Sequence, residues 1–225
     1  VATKTYVDDV FSTFLYTGNS GSQTINNSID FSGEGGLLWL KNRDDSSTQN
    51  ILTDTVRGVN EVLYSDASNA ETSSNINQSF NSNGWSMNCS FGDMNQNNKN
   101  YTSWSFRKTE KFFTIKKFTG NGTNQTLTHD LGCVPGCIMY KNLDSTAHWV
   151  VWHRGISDSS DKALALDQSW SEDDDVYFND TDPTATHFTV GAKTQTNGDG
   201  DEIIAYLFAG GASDSATARS VDFDG

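Results

Sequence analysis

Gly36-Leu37-Leu38-Trp39-Leu40-Lys41-Asn42 returns further along the chain as Gly136-Cys137-Ile138-Met139-Tyr140-Lys141-Asn142. Its neighbours return with it. Tyr16-Thr17-Gly18-Asn19, followed by Gln23-Thr24-Ile25, comes back as Phe118-Thr119-Gly120-Asn121, then Gln125-Thr126-Leu127. Arg57-Gly58 is echoed by Arg154-Gly155, and Tyr101-Thr102-Ser103-Trp104-Ser105-Phe106 by Ile203-Ile204-Ala205-Tyr206-Leu207-Phe208. The offsets are 102, 100, 97 and 102, so order and spacing both hold. A period near one hundred residues is too long for a solenoid and suits one small domain. The expectation is a tandem duplication, an arrangement more useful to a rod, fibre or binding array than to an enzyme.

The apolar runs are short and bounded by Gly and polar loops, and Trp104, Phe106, Tyr206 and Phe208 alternate with smaller residues at period two. Phe112-Phe113-Thr114-Ile115-Lys116-Lys117-Phe118 and His148-Trp149-Val150-Val151-Trp152-His153 also read as strands. Gly-Asn, Asn-Gly, Asp-Gly and Ser-Asn clusters between them mark tight turns. No window sustains helical periodicity for three turns; the nearest candidates are Tyr6 to Phe14 and Asp161 to Leu166. These signs predict an all-β protein of two tandem, structurally similar β-sandwich domains, each of six to eight short strands. Residues 1–11 form a lead-in, 12–108 the first repeat and 112–211 the second. Residues 212–225 form a linker and the start of a further segment. The join Arg107-Lys108-Thr109-Glu110-Lys111 is short, charged and free of Gly or Pro, unlike a flexible linker.

Of 225 residues 20% are charged and 12% aromatic, with 6 Trp and 13 Phe, which is ring surface enough for a packed core. The formal net charge of -14 repels nucleic acid phosphates and anionic membranes, and no basic stripe offsets it. No apolar stretch reaches the ~20 residues of a membrane-spanning helix. Cys89, Cys133 and Cys137 fit no zinc spacing. A bridge between Cys133 and Cys137 across the Val134-Pro135-Gly136 turn stands beside the simpler reading of two small buried thiols.

Candidate sites are few. Ser171-Glu172-Asp173-Asp174-Asp175 could offer Ca2+ hard oxygen ligands, or form a solvated acidic loop. Asp199 and Asp201 alternate with Gly as in a calcium loop but lack its full spacing, and a β-turn accounts for them as well. His129, His148, His153 and His187 are scattered, and no Gly-x-Ser-x-Gly nucleophile turn occurs. Carboxylates abound without any pair being singled out, so the chain reads as non-enzymatic, with no cofactor beyond Ca2+. Trp85, Trp152 and Trp170 are the candidate platforms for stacking a sugar, while Trp39, Trp104 and Trp149 suit the core.

Several stretches resemble virion proteins of tailed phages, of the marine and cyanobacterial kind. They are Tyr6-Val7-Asp8-Asp9-Val10-Phe11-Ser12-Thr13, the Tyr16-Thr17-Gly18-Asn19 turn, Gly35 to Lys41, Asp54-Thr55-Val56-Arg57-Gly58, Phe80-Asn81-Ser82-Asn83-Gly84-Trp85 and Trp104 to Lys108. The second copy is similar in Phe118 to Gly122, His129-Asp130-Leu131-Gly132 with Pro135-Gly136, and Ala205 to Ala209. The resemblance implies a module of tail fibres or other appendages, often beside concanavalin-like lectin domains, and the Val221 to Gly225 end is similar to the first strand of one. It implies location on the virion, other virion proteins as partners, a homo-oligomer such as a trimer, and contact with host-surface glycan. It supplies no catalytic residues. A carbohydrate-binding module without catalysis, secreted or virion-borne, is the alternative. The second copy gains the Glu172 to Asp175 loop, the Cys133/Cys137 turn and all four histidines, so it is expected to be the specialised one.

Overall fold

The structure, a computed structural model, describes residues 5–211. The first four residues of the expected lead-in (1–11) and the expected linker and strand at 212–225, including Val221 to Gly225, lie outside the described residues. The chain divides into two compact units, residues 5–67 with 71–108, and residues 68–70 with 109–211.

The first unit opens on a single helical turn, α1 (Val7–Val10), and continues as β1 (Phe11–Thr17), β2 (Ser22–Asn26), β3 (Gly36–Asn42), β4 (Ile51–Asp54) and β5 (Gly58–Tyr64). It ends with β6 (Thr72–Ser73), β7 (Ser79–Asn81), β8 (Gly84–Asn88) and β9 (Asn100–Arg107). Six strands form an antiparallel sheet in the order β1-β9-β3-β4-β5-β6, and β2-β8-β7 form a second. The core packs residues of the two sheets together: Tyr16, Leu38, Leu40, Ile51, Val62 and Tyr101 from the larger, Ile25, Trp85 and Met87 from the smaller. Tyr16 stacks on Tyr101 at 5.1 Å and meets Trp85 edge-on at 5.6 Å. Burying such rings contributes ~2 kcal/mol or more each from removed apolar area.

The second unit runs β10 (Phe113–Thr119), β11 (Gln125–Thr128), β12 (Pro135–Asn142), β13 (Val150–His153), β14 (Lys162–Ala165) and β15 (Asp173–Asp174). It closes with β16 (His187–Val190), the short turn α2 (Thr194–Asn197) and β17 (Glu202–Ala209). Its six-stranded sheet has the order β10-β17-β12-β13-β14-β15, position for position that of the first unit, and β11 pairs with β16. In both units the last long strand lies between the first and the third: Tyr16 faces Tyr101 and Asn42 faces Tyr101, as Phe118 faces Ile203 and Asn142 faces Ile203. Ile203, Ala205 and Leu207 enter a core with Tyr140, Trp152, Phe178 and Phe188. On the opposite face of β17, Tyr206 stacks on Phe113 at 6.4 Å and on Trp149 at 6.2 Å. This is why β17 reads as an unbroken apolar run rather than an alternating one.

Of the two helix candidates one is helical in part and the other is a strand. Within Tyr6 to Phe14 only Val7–Val10 is helical, and the rest is β1 paired with β9. Lys162–Ala165 is a strand paired with β13 and β15. Segments this short nucleate a helix poorly, and pairing in the sheet takes them over. The strand expected over His148 to His153 starts at Val150, after His148 and Trp149.

Polar latches explain the repeated words. Asn95, fully buried, accepts a hydrogen bond from Asn19 N at 3.0 Å and donates through Nδ2 to Gly21 O and Cys89 O, each at 2.8 Å. Asn197, also fully buried, accepts from Asn121 N at 3.0 Å and donates to Gly191 O at 2.9 Å and to Thr123 O. Gly18 and Gly120 permit the approach: a Cβ on Gly18 would collide with the Asn95–Gln96 backbone, and one on Gly120 with Asn197–Gly198. Asn42 Oδ1 receives the N–H groups of Asp44 and Asp45, and Asn142 Oδ1 those of Asp144 and Ser145. Asp44 and Asp144 then receive Asn100 N at 2.7 Å and Glu202 N at 2.6 Å.

Candidate functional site

A framework hydrogen bond common to both units underlies the most developed polar cluster. Asp66 Oδ1 accepts the N–H of Asn50, the residue before β4, at 3.0 Å. Asp167 Oδ1 accepts the N–H of Trp149, the residue before β13, at 3.1 Å. In the second unit the carboxylate does more: its Oδ2 accepts from His148 Nδ1 at 2.8 Å, with the Asp167 side chain fully buried and that of His148 34% exposed. The bond fixes the ring and leaves Nε2 as an acceptor when the imidazole is neutral. Trp170 meets His148 edge to face, with centroids 4.8 Å apart, and is itself 48% exposed.

Trp170 stands three residues before β15; in the sequence of the first copy Asn69 stands three residues before β6, within residues 68–70 that fold with the second unit. The two aromatic rings border a cleft of ≈ 10 Å³ that Asp173, Tyr177 and Gln195 also line. That is room for about one water-sized group. Tyr177, almost wholly buried, donates its O–H to Asp173 Oδ2 at 2.7 Å. Burial, then the bond to Asp173, raises its phenol well above the ordinary value. Lys193 sits over the Tyr177 ring, 5.8 Å from its centroid, and pairs with Asp175. The Asp175 carboxyl is lowered first by that Lys193 bond. A chain of contacts from Asp175 to Asp173 thus holds one wall of the cleft in place.

The other candidates separate. Trp85 lies in the first core, fully buried, and Trp152 in the second, 2% exposed, so neither offers a ring face to a sugar. Trp170 is the one of the three at the surface. Parity along a strand places a side chain on a face but does not say which face is covered. Trp149 is buried as expected, and Trp39 and Trp104 are half-buried against each other, 6.2 Å apart.

The five aspartates suggested for Ca2+ fall in different places. Asp173 lines the cleft, Asp175 pairs with Lys193, Asp201 accepts from Asn142 Nδ2 at 2.7 Å, and Asp199 is exposed beside Gly122. Asp174 is drawn instead towards Asp161 and Asp180. Loss of hydration first, then the hydrogen bonds the protonated group donates to Asp180 and Asp174 and the charges of those two carboxylates, push the Asp161 carboxyl up to about 6. Among the described residues no group of three or more His, Cys, Asp or Glu is arranged to hold a metal ion. All three cysteines are free thiols, so the alternative of a Cys133–Cys137 bridge is corrected; burial pushes the Cys137 thiol up to about 11.

The profile of a family described as Domain of unknown function (DUF7483) matches residues 7–217. The chain belongs to that family. The matched residues take in both six-stranded sheets, both asparagine latches and the Trp170 cleft of this DUF7483 chain. No curated protein matches it. Sequence reading reached Trp170 but missed His148, Asp167, Tyr177 and Gln195 as its neighbours. Aligning the two copies at β6 and β15 was the available signal, since it sets Asn69 opposite Trp170.

Proposed function

We infer that the chain is a structural segment of a tailed-phage virion, part of a tail fibre or surface appendage. It is built from two tandem, structurally similar β-sandwich domains and acts without catalysis. The observation that carries this reading is the repeated strand order, β1-β9-β3-β4-β5-β6 and β10-β17-β12-β13-β14-β15, with its paired asparagine latches. Duplicating a framework while varying its loops adds length and surface, which an extracellular particle uses and a single active site does not. The resemblance of the repeated motifs to phage appendage modules supports the same assignment. The partners are other virion proteins and further copies of the chain, with a trimer as the expected oligomer. Mass spectrometry of purified particles should find the chain at a copy number divisible by three, and mass photometry should find an oligomer in solution. Absence from particles together with a strictly monomeric chain would sink the reading.

A second reading, a carbohydrate-binding module without catalysis, is favoured by the exposed indole of Trp170 beside an ordered polar cleft. The two are compatible, since a fibre can attach through a glycan of the host surface. A glycan array run with Ca2+ and with chelator tests it, and also tests whether Ca2+ takes part. No binding under either condition removes it.

A further inference from the structure

The geometry points to a subsite at Trp170 for one neutral hexopyranose, with the indole carrying the sugar and His148, Asp173 and Gln195 receiving its hydroxyls. This rests on the attachment reading above and gives it a place and a ligand class. A lone exposed Trp would carry little, because single apolar residues are common on surfaces. What distinguishes Trp170 is that its surroundings are built. The buried Asp167 carboxylate closes the start of β13 as Asp66 closes that of β4, so the backbone is served equally in both units. The additions, His148 on Asp167 Oδ2 and Trp170 against His148, stabilise no β-sheet pairing. The first copy, with Asn69 in sequence where the second has Trp170, keeps the Asp66 bond at the start of β4 without a ring three residues on.

The chemistry of the cleft selects the ligand. A pyranose ring has an apolar C–H face that packs on an indole, while its hydroxyls project sideways as donors and acceptors. His148, anchored through Nδ1, presents Nε2; the Tyr177-bound Asp173 and Gln195 line the same cleft. The ≈ 10 Å³ cleft excludes a ring but admits one hydroxyl group. Asp167 and Asp173 are acidic, and the nearby Lys193 is already engaged by Asp175, so a uronate or sulfated sugar would meet net repulsion.

The test uses the full chain, 15N-labelled, titrated with the methyl glycosides of glucose, galactose, mannose and N-acetylglucosamine, and with methyl glucuronide as acidic comparator. The readout is the Trp170 indole N–H signal, assigned by its disappearance in Trp170→Phe. At least one neutral glycoside should shift it saturably, with a Kd of about 1–10 mM, as befits a single small sugar on an open site. Binding, followed at other shifted signals, should weaken at least tenfold in Trp170→Ala and several-fold in His148→Ala, and be retained in part by Trp170→Phe. Absent or non-saturating shifts with every neutral glycoside would overturn the proposal. So would tighter binding of the glucuronide, or undiminished binding by a folded Trp170→Ala chain. A null titration leaves the particle measurement untouched, and absence from particles leaves the titration standing, so the two readings fail separately.

Discussion

At the scale of single residues, stability rests on a few buried polar groups. Arg57 Nε bonds Asp54 Oδ2 at 2.5 Å with both side chains fully buried, and its other nitrogens reach Glu71, Leu52 O and Glu61 O. Replacing it leaves the Asp54 carboxylate buried without that guanidinium. Arg57→Ala is expected to cost about 3–5 kcal/mol, measured by urea unfolding, and Arg57→Lys to recover only part because the planar fork is lost. Lys141 is a second case. Its side chain is buried, donates to Asn142 O at 2.9 Å and Ser68 O at 3.3 Å, and burial lowers its pKa to about 8 from the usual 10.5. Between those values the unfolded chain binds the extra proton, so this group adds stability as pH rises from about 8 and withholds it below. Buried tyrosines and Cys137 act in the opposite sense, since their raised values make the folded state hold protons longer. The informative quantity is therefore the difference in unfolding free energy between wild type and Lys141→Met. It should grow in favour of wild type from pH 8 to 10; a flat difference would remove the assignment.

Among elements, the loop after the first strand of each unit is held by a side chain far along the chain in addition to its own Asn19 and Asn121 turn bonds. Asn95 and Asn197 each satisfy the β1–β2 or β10–β11 connection with several hydrogen bonds from a fully buried amide. Asn197→Ala leaves buried backbone groups unpaired and should cost about 2–4 kcal/mol by the same measurement, as should Asn95→Ala. Gly120→Ala tests the approach itself: its Cβ meets backbone rather than a movable side chain, so the latch must open. Loss of slow hydrogen exchange at the Asn121 amide in a chain that keeps its β17 protection is the expected signature. The Thr-Gly-Asn words and the Lys-Asn strand ends were legible as repeats. Their partners were not, because Asn95 and Asn197 lie in polar stretches where nothing local separates a buried amide from an exposed one.

For the whole molecule, an excess of 14 negative charges is a self-repulsion that the compact state bears. Raising NaCl from 10 to 300 mM at pH 8 should raise Tm by about 2–4 °C, the equivalent of ~1 kcal/mol, because exposed repulsions are screened while the buried Arg57–Asp54 pair is not. Near pH 4.4, where the net charge vanishes, the salt effect should disappear, and scanning calorimetry at both pH values checks it. By itself the sequence determined an all-β class and a repeat of about one hundred residues, because strand periodicity and turn chemistry are local properties. It also placed β3, β10 and β12 within a residue or two, since each is a dense apolar run between breakers. Tertiary structure alone decided that Trp85 and Trp152 are core and Trp170 surface, that Lys162–Ala165 pairs as a strand, and that Asp167, His148 and Trp170 meet. Those facts depend on which faces other segments cover and on contacts between residues 19 to 78 positions apart, such as His148 with Asp167 and Asn27 with Ser105, and no local pattern encodes them.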